Sequence, residues 1–175
     1  MQEILQGNAA LMEALGALCT RDKAIHHSTD AFHWFRLDHP RFMSQAATAL
    51  QGAHARLCMI TAYNLKQLGE QQQELCYHFE LQGVVYNITV TLTAEHNTVP
   101  SITPLFANAD WHEREMMELY GIRVANQPNP RRLFLDEELD AGILNEAVPL
   151  SIMMNGACTT DLWERILKEK EGERA

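Results

Sequence analysis

Between residues 55 and 92 the chain carries three strand-like runs in succession, "ARLCMITAY", "QELCYHFEL" and "VVYNITVTL". The second run sets Leu75, Tyr77, Phe79 and Leu81 against Cys76, His78 and Glu80; the third sets Tyr86, Ile88, Val90 and Leu92 against Asn87, Thr89 and Thr91. A period of two sends alternate side chains to opposite faces of a sheet, so one face here is apolar and the other mixed. "LQGVV" places a glycine between the second and third runs and joins them as a hairpin. The apolar face of that hairpin has to be covered, and the rest of the chain supplies the cover.

Residues 4 to 18 space Ile4, Leu5, Leu11, Met12, Leu15 and Leu18 mostly by three and four, which predicts an amphipathic helix. "DAFHWFRL" alternates aromatic and polar residues as a strand does. "DHPRFMSQAATALQG" then reads as a helix, with Asp38 as N-cap, Pro40 near the first turn and Gly52 as its stop. "TVPSITPLF" holds two prolines and suits an edge strand or a strand-like loop. The segment from Gln127 is loop-rich, and "TTDLWERILKEKEGERA" reads as a capped helix with a frayed, charged tail. The expected architecture is α+β: a two-layer fold with a small, mainly antiparallel sheet and helices packed on one face, in a single domain spanning residues 1–175.

Composition narrows the function classes. A formal charge of −9 opposes binding to nucleic-acid phosphate, which is driven by Lys and Arg. No run reaches the roughly 18 apolar residues of a spanning helix, and the acidic, amphipathic N-terminus differs from a signal peptide, so a cytoplasmic protein is expected. Cysteines 19, 58, 76 and 158 show no paired spacing suited to zinc or an iron–sulfur cluster, and reduced, buried thiols are expected, with a Cys58–Cys76 contact open. His26 and His27 are adjacent but lack a third ligand nearby. Trp34 and Trp163 read as core residues.

The densest charge lies in "DWHEREMMELYGI", residues 110–122. Asp110 and Glu113 have the spacing of a capping box, and Gly121 stops the helix. Turning 100° per residue puts Trp111, Arg114, Glu115 and Glu118 in one stripe, with Arg114 and Glu118 paired at i, i+4, while Glu113 falls among Tyr120, Met116 and Met117. Three chemical alternatives stand against a solvated stripe. A zincin is excluded, because Met116 occupies the position of the second histidine in HExxH. Acid–base catalysis by a carboxylate pair meets the obstacle that Glu113 and Glu115 diverge by roughly 160°. The third is a docking helix presenting Trp111, partly exposed, to a partner. Glu113 is expected to be buried, to cap the Asp110 backbone, and to meet Arg131, Arg132 or a buried main-chain donor.

"PSITPLFANADWHEREMMELYGIRV", continuing to "PNPRRLFL", resembles the signature of the 30-kDa subunit family of respiratory complex I, the NADH:quinone oxidoreductase; the related domain occurs in energy-converting membrane [NiFe]-hydrogenases and formate hydrogenlyases. The resemblance rests on Pro100 to Thr103, Trp111, Glu113, Arg114, Glu115, Glu118, Tyr120, Gly121, Ile122, Arg131 and Arg132. It extends more weakly over about residues 31–139, leaving a C-terminal loop and helix at 140–175. Asn126 and Gln127 stand where complex I members usually carry Gly and His, which leans towards the hydrogenase branch. The resemblance implies a non-catalytic accessory protein without cofactors of its own. It would pack against the large subunit, which holds the quinone site or nickel–iron centre, beside the small iron–sulfur subunit, on the inner face of the cell membrane. The residues expected to dock are Trp111, Glu113, Arg114, Glu115, Glu118, Tyr120, Gly121, Arg131 and Arg132. The alternative is a free-standing cytoplasmic enzyme using Glu113 or Glu115 as acid or base.

Overall fold

The computed structural model describes residues 2–21, 32–65, 72–93, 95–135 and 141–142. They all lie in the first of two compact units, Met1–Asn145. The expected C-terminal helix, with Trp163 and Cys158, and the His26–His27 pair fall outside the described residues.

The three strand-like runs are β3 (Arg56–Leu65), β4 (Gln72–Leu81) and β5 (Val84–Leu92), paired antiparallel in succession. The β4–β5 turn has Gln82 at φ 54° and Gly83 at φ 82°, the left-handed pair of a type I′ hairpin, whose twist matches that of the strands it joins. Glu80 Oε1 accepts the Gly83 N–H at 2.8 Å and closes the turn. β2 (Phe32–Leu37) lies parallel to β5, and β1 (Cys19–Arg21) runs antiparallel to β2, giving the order β1-β2-β5-β4-β3. The fold is therefore α+β with a mainly antiparallel sheet, as the alternation implies.

Leu75, Tyr77, Phe79, Leu81, Tyr86, Ile88, Val90 and Leu92 form one buried face with Phe35 and Leu37 of β2. That core also takes in Leu11 and Leu15 of α1 (Gln2–Gly16), Met43, Ala46, Ala47 and Leu50 of α2 (Met43–Gly52), and Ala109 and Met116 of α3 (Ala109–Tyr120). The edge-strand segment pairs as β6 (Thr98–Pro100), parallel to β7 (Arg123–Ala125). β1 and β7 have three residues each, too short for alternation to reveal.

Several local expectations are corrected. The chain enters α2 through a 3-10 turn, Pro40–Phe42, capped by His39, whose Nδ1 accepts the Arg41 N–H; Asp38 is not the cap. α3 starts two residues early, with Asn108 in place of Asp110 at its N-cap and no side-chain cap, so the capping box does not form. Gly121 does end α3, at φ 64°. Trp34 is half-buried and lies outside the core cluster, edge-on to His78 with ring centroids 6.5 Å apart, because its neighbour Phe35 takes the core-facing position of β2. Cys19 and Cys76 are buried, and burial pushes both thiols up to about 12, but Cys58 is exposed at a register shift between Leu57 and Met59. That bulge removes Cys58 from its partner's register, and Cys58 and Cys76 are both free thiols.

Candidate docking site around helix α3

Two carboxylates of helix α3 point in different directions and tie it to the segments on either side. Glu113 has no exposed surface. Its Oε1 accepts the Ile102 N–H at 2.6 Å; its Oε2 accepts from Ser101 Oγ at 2.7 Å, Thr103 Oγ1 at 2.9 Å and Gln127 Nε2 at 3.0 Å. Four converging donors favour the charged carboxylate, but burial, the larger influence, raises its pKa above the ordinary 4.5. The hydroxyl of Tyr77, wholly buried, has no hydrogen-bond partner among the described residues; burial first, then the Glu113 charge, pushes its ionisation up. The expected main-chain donor to Glu113 is thus present, as Ile102. Arg131 and Arg132 are not its partners, and it does not cap Asp110: the Pro-Ser-Ile-Thr loop supplies enough donors that no cation is needed.

Glu118 is also buried, at 2 % exposure, contrary to its expected place on a solvated stripe. It accepts the main-chain N–H groups of Leu133 at 2.7 Å, and of Phe134 and Leu135 at 3.1 Å. Burial pushes its pKa up, but these three donors and the charge of Arg132 outweigh it, and the net effect is a lowered value. Arg114 does not pair with Glu118. It donates Nε to the Arg131 carbonyl at 2.8 Å and Nη2 to the Arg132 carbonyl at 2.5 Å, and its Nη1 meets Asp110 Oδ2 at 3.4 Å. Segment 131–135 is therefore a strap running along α3 in the helix direction. Arg114 binds its carbonyls and Glu118 binds its N–H groups.

Around this frame the other motif residues take distinct places. Trp111, one turn before Arg114, is 67 % exposed, as expected of a presented aromatic. Glu115 lies 3.9 Å from His112 on the outer surface. The Tyr120 carbonyl accepts from Gln73 Nε2 at 2.8 Å, and the Gly121 carbonyl from Asn97 Nδ2 at 3.4 Å, so the end of α3 is tied to β4 and to the loop before β6. Arg131 is exposed and donates Nε to Asn129 Oδ1 at 2.7 Å. Gln127, at 9 % exposure, is a structural residue that the pattern of the sequence does not mark out; it donates to Glu113 and accepts the Asn129 N–H at 2.7 Å. Its one signal in the sequence is its departure from the usual complex I pattern.

The acid–base alternative finds little geometry. Glu113 is sealed from solvent and saturated with donors. A cavity of about 800 Å³ lies elsewhere, between the α2–β3 turn and the loop before α3, lined by Gln51, His54, Arg56, Cys58 and Asn108 among others; neither Glu113 nor Glu115 reaches it.

The sequence pattern of the "Respiratory-chain NADH dehydrogenase, 30 Kd subunit" family matches residues 38–156, from the turn before α2 through α3 and the strap. The chain belongs to this 30-kDa subunit family. One relative, from the NADH-quinone oxidoreductase of Azorhizobium caulinodans, is 37 % identical over 83 residues, 47 % of this chain and 39 % of the relative. The mitochondrial 30.4 kDa subunit of NADH-ubiquinone oxidoreductase of Neurospora crassa is 34 % identical over 85 residues, 47 % of this chain and 29 % of that one. The matched stretches cover well under half of these relatives' own length. Among solved structures, a trypsin-resistant fragment of Nqo5 superposes with a TM-score of 0.55 at 20 % identity, covering 70 % of this chain and 97 % of that one. A chain of the membrane-bound sulfane sulfur reductase, an archaeal respiratory membrane complex, does so with 0.57 at 15 % identity, covering 77 % and 78 %. Both share the fold described above. Among the described residues no helix is long and apolar enough to cross a membrane.

Proposed function

We propose that this 30-kDa-family chain is a non-catalytic accessory member of a membrane-bound, multi-subunit redox complex, of the complex I type or of the related [NiFe]-hydrogenase and formate hydrogenlyase type. It docks onto the large subunit beside the small iron–sulfur subunit, peripherally at the inner face of the membrane, and stabilises the assembly. The observation that carries the reading is the α3–strap unit. It falls inside the family match, its charges are engaged by internal bonds, and yet it turns Trp111 outward at 67 % exposure. A large aromatic on so well-fixed a scaffold suits recognition better than catalysis. Trp111, Arg114, Glu118, Arg131 and Arg132 form or brace that unit, Glu113, Tyr120 and Gly121 anchor α3 beneath it, and Glu115 lies on its flank.

In this reading the chain carries no redox centre, and clusters, quinone site or nickel–iron centre belong to its partners. Elemental analysis of the purified protein should find no stoichiometric iron, nickel or zinc. Co-expression with the large subunit from the same genome should give a complex that survives gel filtration. Failure to form any complex with that partner overturns the accessory reading. The cysteine pattern of the large subunit separates the hydrogenase branch from the complex I branch.

A further inference from the structure

The strap and the helix beneath it are held by different means. Among the described residues no main-chain group of 131–135 bonds to another main-chain group; the carbonyls of Arg131 and Arg132 accept from Arg114, and the N–H groups of Leu133, Phe134 and Leu135 go to Glu118. Burial adds little: Arg131 and Phe134 are exposed, Arg132, Leu133 and Leu135 are half-buried, and none of the five belongs to the core cluster. α3 itself is anchored through buried Ala109, Glu113 and Met116, which take no part in the strap's bonds. Two side chains carry the main chain of the strap, whereas the core carries the helix.

The chain on either side is fixed independently of that clasp. Before the strap, Gln127 donates to Glu113 and accepts the Asn129 N–H; after it, the Gly142 N–H reaches the Glu118 carbonyl at 2.8 Å. Release of 131–135 therefore lifts a segment between two retained anchors. It also leaves the clasp residues a substitute: Arg114 and Glu118 are spaced i, i+4, and with the strap away their side chains can pair with each other.

We propose that segment 131–135 is a latch that opens and closes over α3 as a unit of its own while α3 and the sheet stay folded, with the Glu118 carboxylate as its lock. A carboxylate accepts from all three N–H groups, whereas its acid form turns a hydroxyl into that cluster. The groups acting on Glu118 are those three donors and the Arg132 charge, all from the strap. Arg114 faces the strap carbonyls and Asp110, and Glu115 faces His112. On the strands beside α3, Arg56 pairs with Glu80, Tyr63 donates to Glu74, and Cys58 and Arg123 are exposed. Opening uncovers Glu118 and Arg114, both nearly sealed when the latch is closed.

The test is hydrogen exchange of the full chain, followed residue by residue by NMR. In the wild type at neutral pH the Leu133, Phe134 and Leu135 amides should be protected, yet exchange about tenfold or more faster than those of β4 and β5 once intrinsic rates are divided out, and low urea should hardly change them. As the pH falls below 4.5 their protection should drop while that of α3 and of β4–β5 persists, because the contribution of Glu118 is complete above that value and lost below it. Glu118→Gln should remove most of the strap's protection, and its dependence on acid, with the α3 amides still protected. Strap amides that share the rate and urea dependence of β4–β5 would show a single cooperative unit and overturn the latch. Strap amides without protection in the wild type would overturn it too, as would protection that acid and Glu118→Gln leave unchanged.

Discussion

Glu113 and Glu118 sit on the same helix, yet one is bonded to the loop that precedes α3 and the other to the strap that follows it. Both are buried and both accept several donors, so Glu113→Gln and Glu118→Gln should each destabilise the fold, by roughly 1–3 kcal/mol, because an amide NH2 would face buried donors and leave them without an acceptor. Exposed Trp111→Ala should stay within about 0.5 kcal/mol. Urea melts of the three variants check this; equal midpoints for Glu118→Gln and wild type would refute the strap contacts. The two acids differ in pH response. Glu113 has a raised folded pKa, so its carboxyl stabilises most below about 4.5 and the benefit falls as pH rises through the folded value. Glu118 has a lowered pKa, so its contribution is complete above 4.5 and lost as pH falls below. The gap between wild type and Glu113→Gln should therefore be widest in acid and narrow upward, while the gap for Glu118→Gln closes in acid. Thermal melts at several pH values read both slopes.

At the scale of elements, the β4–β5 hairpin and α3 are legible in the chain and their partners are not. Alternation is a local property, so Tyr77 and Tyr86 declare their face without reference to anything distant. Gly83 places the turn, and the strain it hides lies at Gln82, a non-glycine residue at φ 54°. Gln82→Asn should raise stability by up to about 1 kcal/mol, because asparagine tolerates the left-handed region better; a lower melting temperature would sink the assignment of a type I′ turn. The helical wheel assigns Glu118 the right angle and the wrong surroundings. Its face reads as solvent, but segment 131–135 folds back over it and needs an acceptor for three N–H groups. Angles follow from spacing, whereas the return of a loop depends on tertiary closure. The same angular argument rightly buries Glu113, and its partners differ from the expected arginines because the hydroxyls of Ser101 and Thr103 fill that role.

At the scale of the molecule, the sheet is protected unequally at its two edges. β1 has three residues, but β3 has ten, and among the described residues no strand pairs with its outer side. Met59 and Tyr63 of β3 register with His78 and Glu74, and Phe32 of β2 with Val85, on the face opposite the core; all three are exposed. The centre of that face is polar: Tyr63 donates to Glu74, Arg36 lies 3.5 Å from Glu74, and His78 Nδ1 is 2.6 Å from Asn87 Oδ1. It is therefore an apolar rim around a hydrogen-bonded polar centre. A long strand edge beside exposed apolar side chains pairs with whatever edge it meets. The isolated chain should self-associate reversibly as its concentration rises, through β3 and not through α3. Sedimentation velocity should show the average mass rising with concentration for wild type and for Trp111→Ala, and flattening for Met59→Lys, which puts a charge beside the bulge where an incoming strand would lie. A single species at every wild-type concentration, or dimers abolished by Trp111→Ala and untouched by Met59→Lys, would mean that the edge is not the sticky surface.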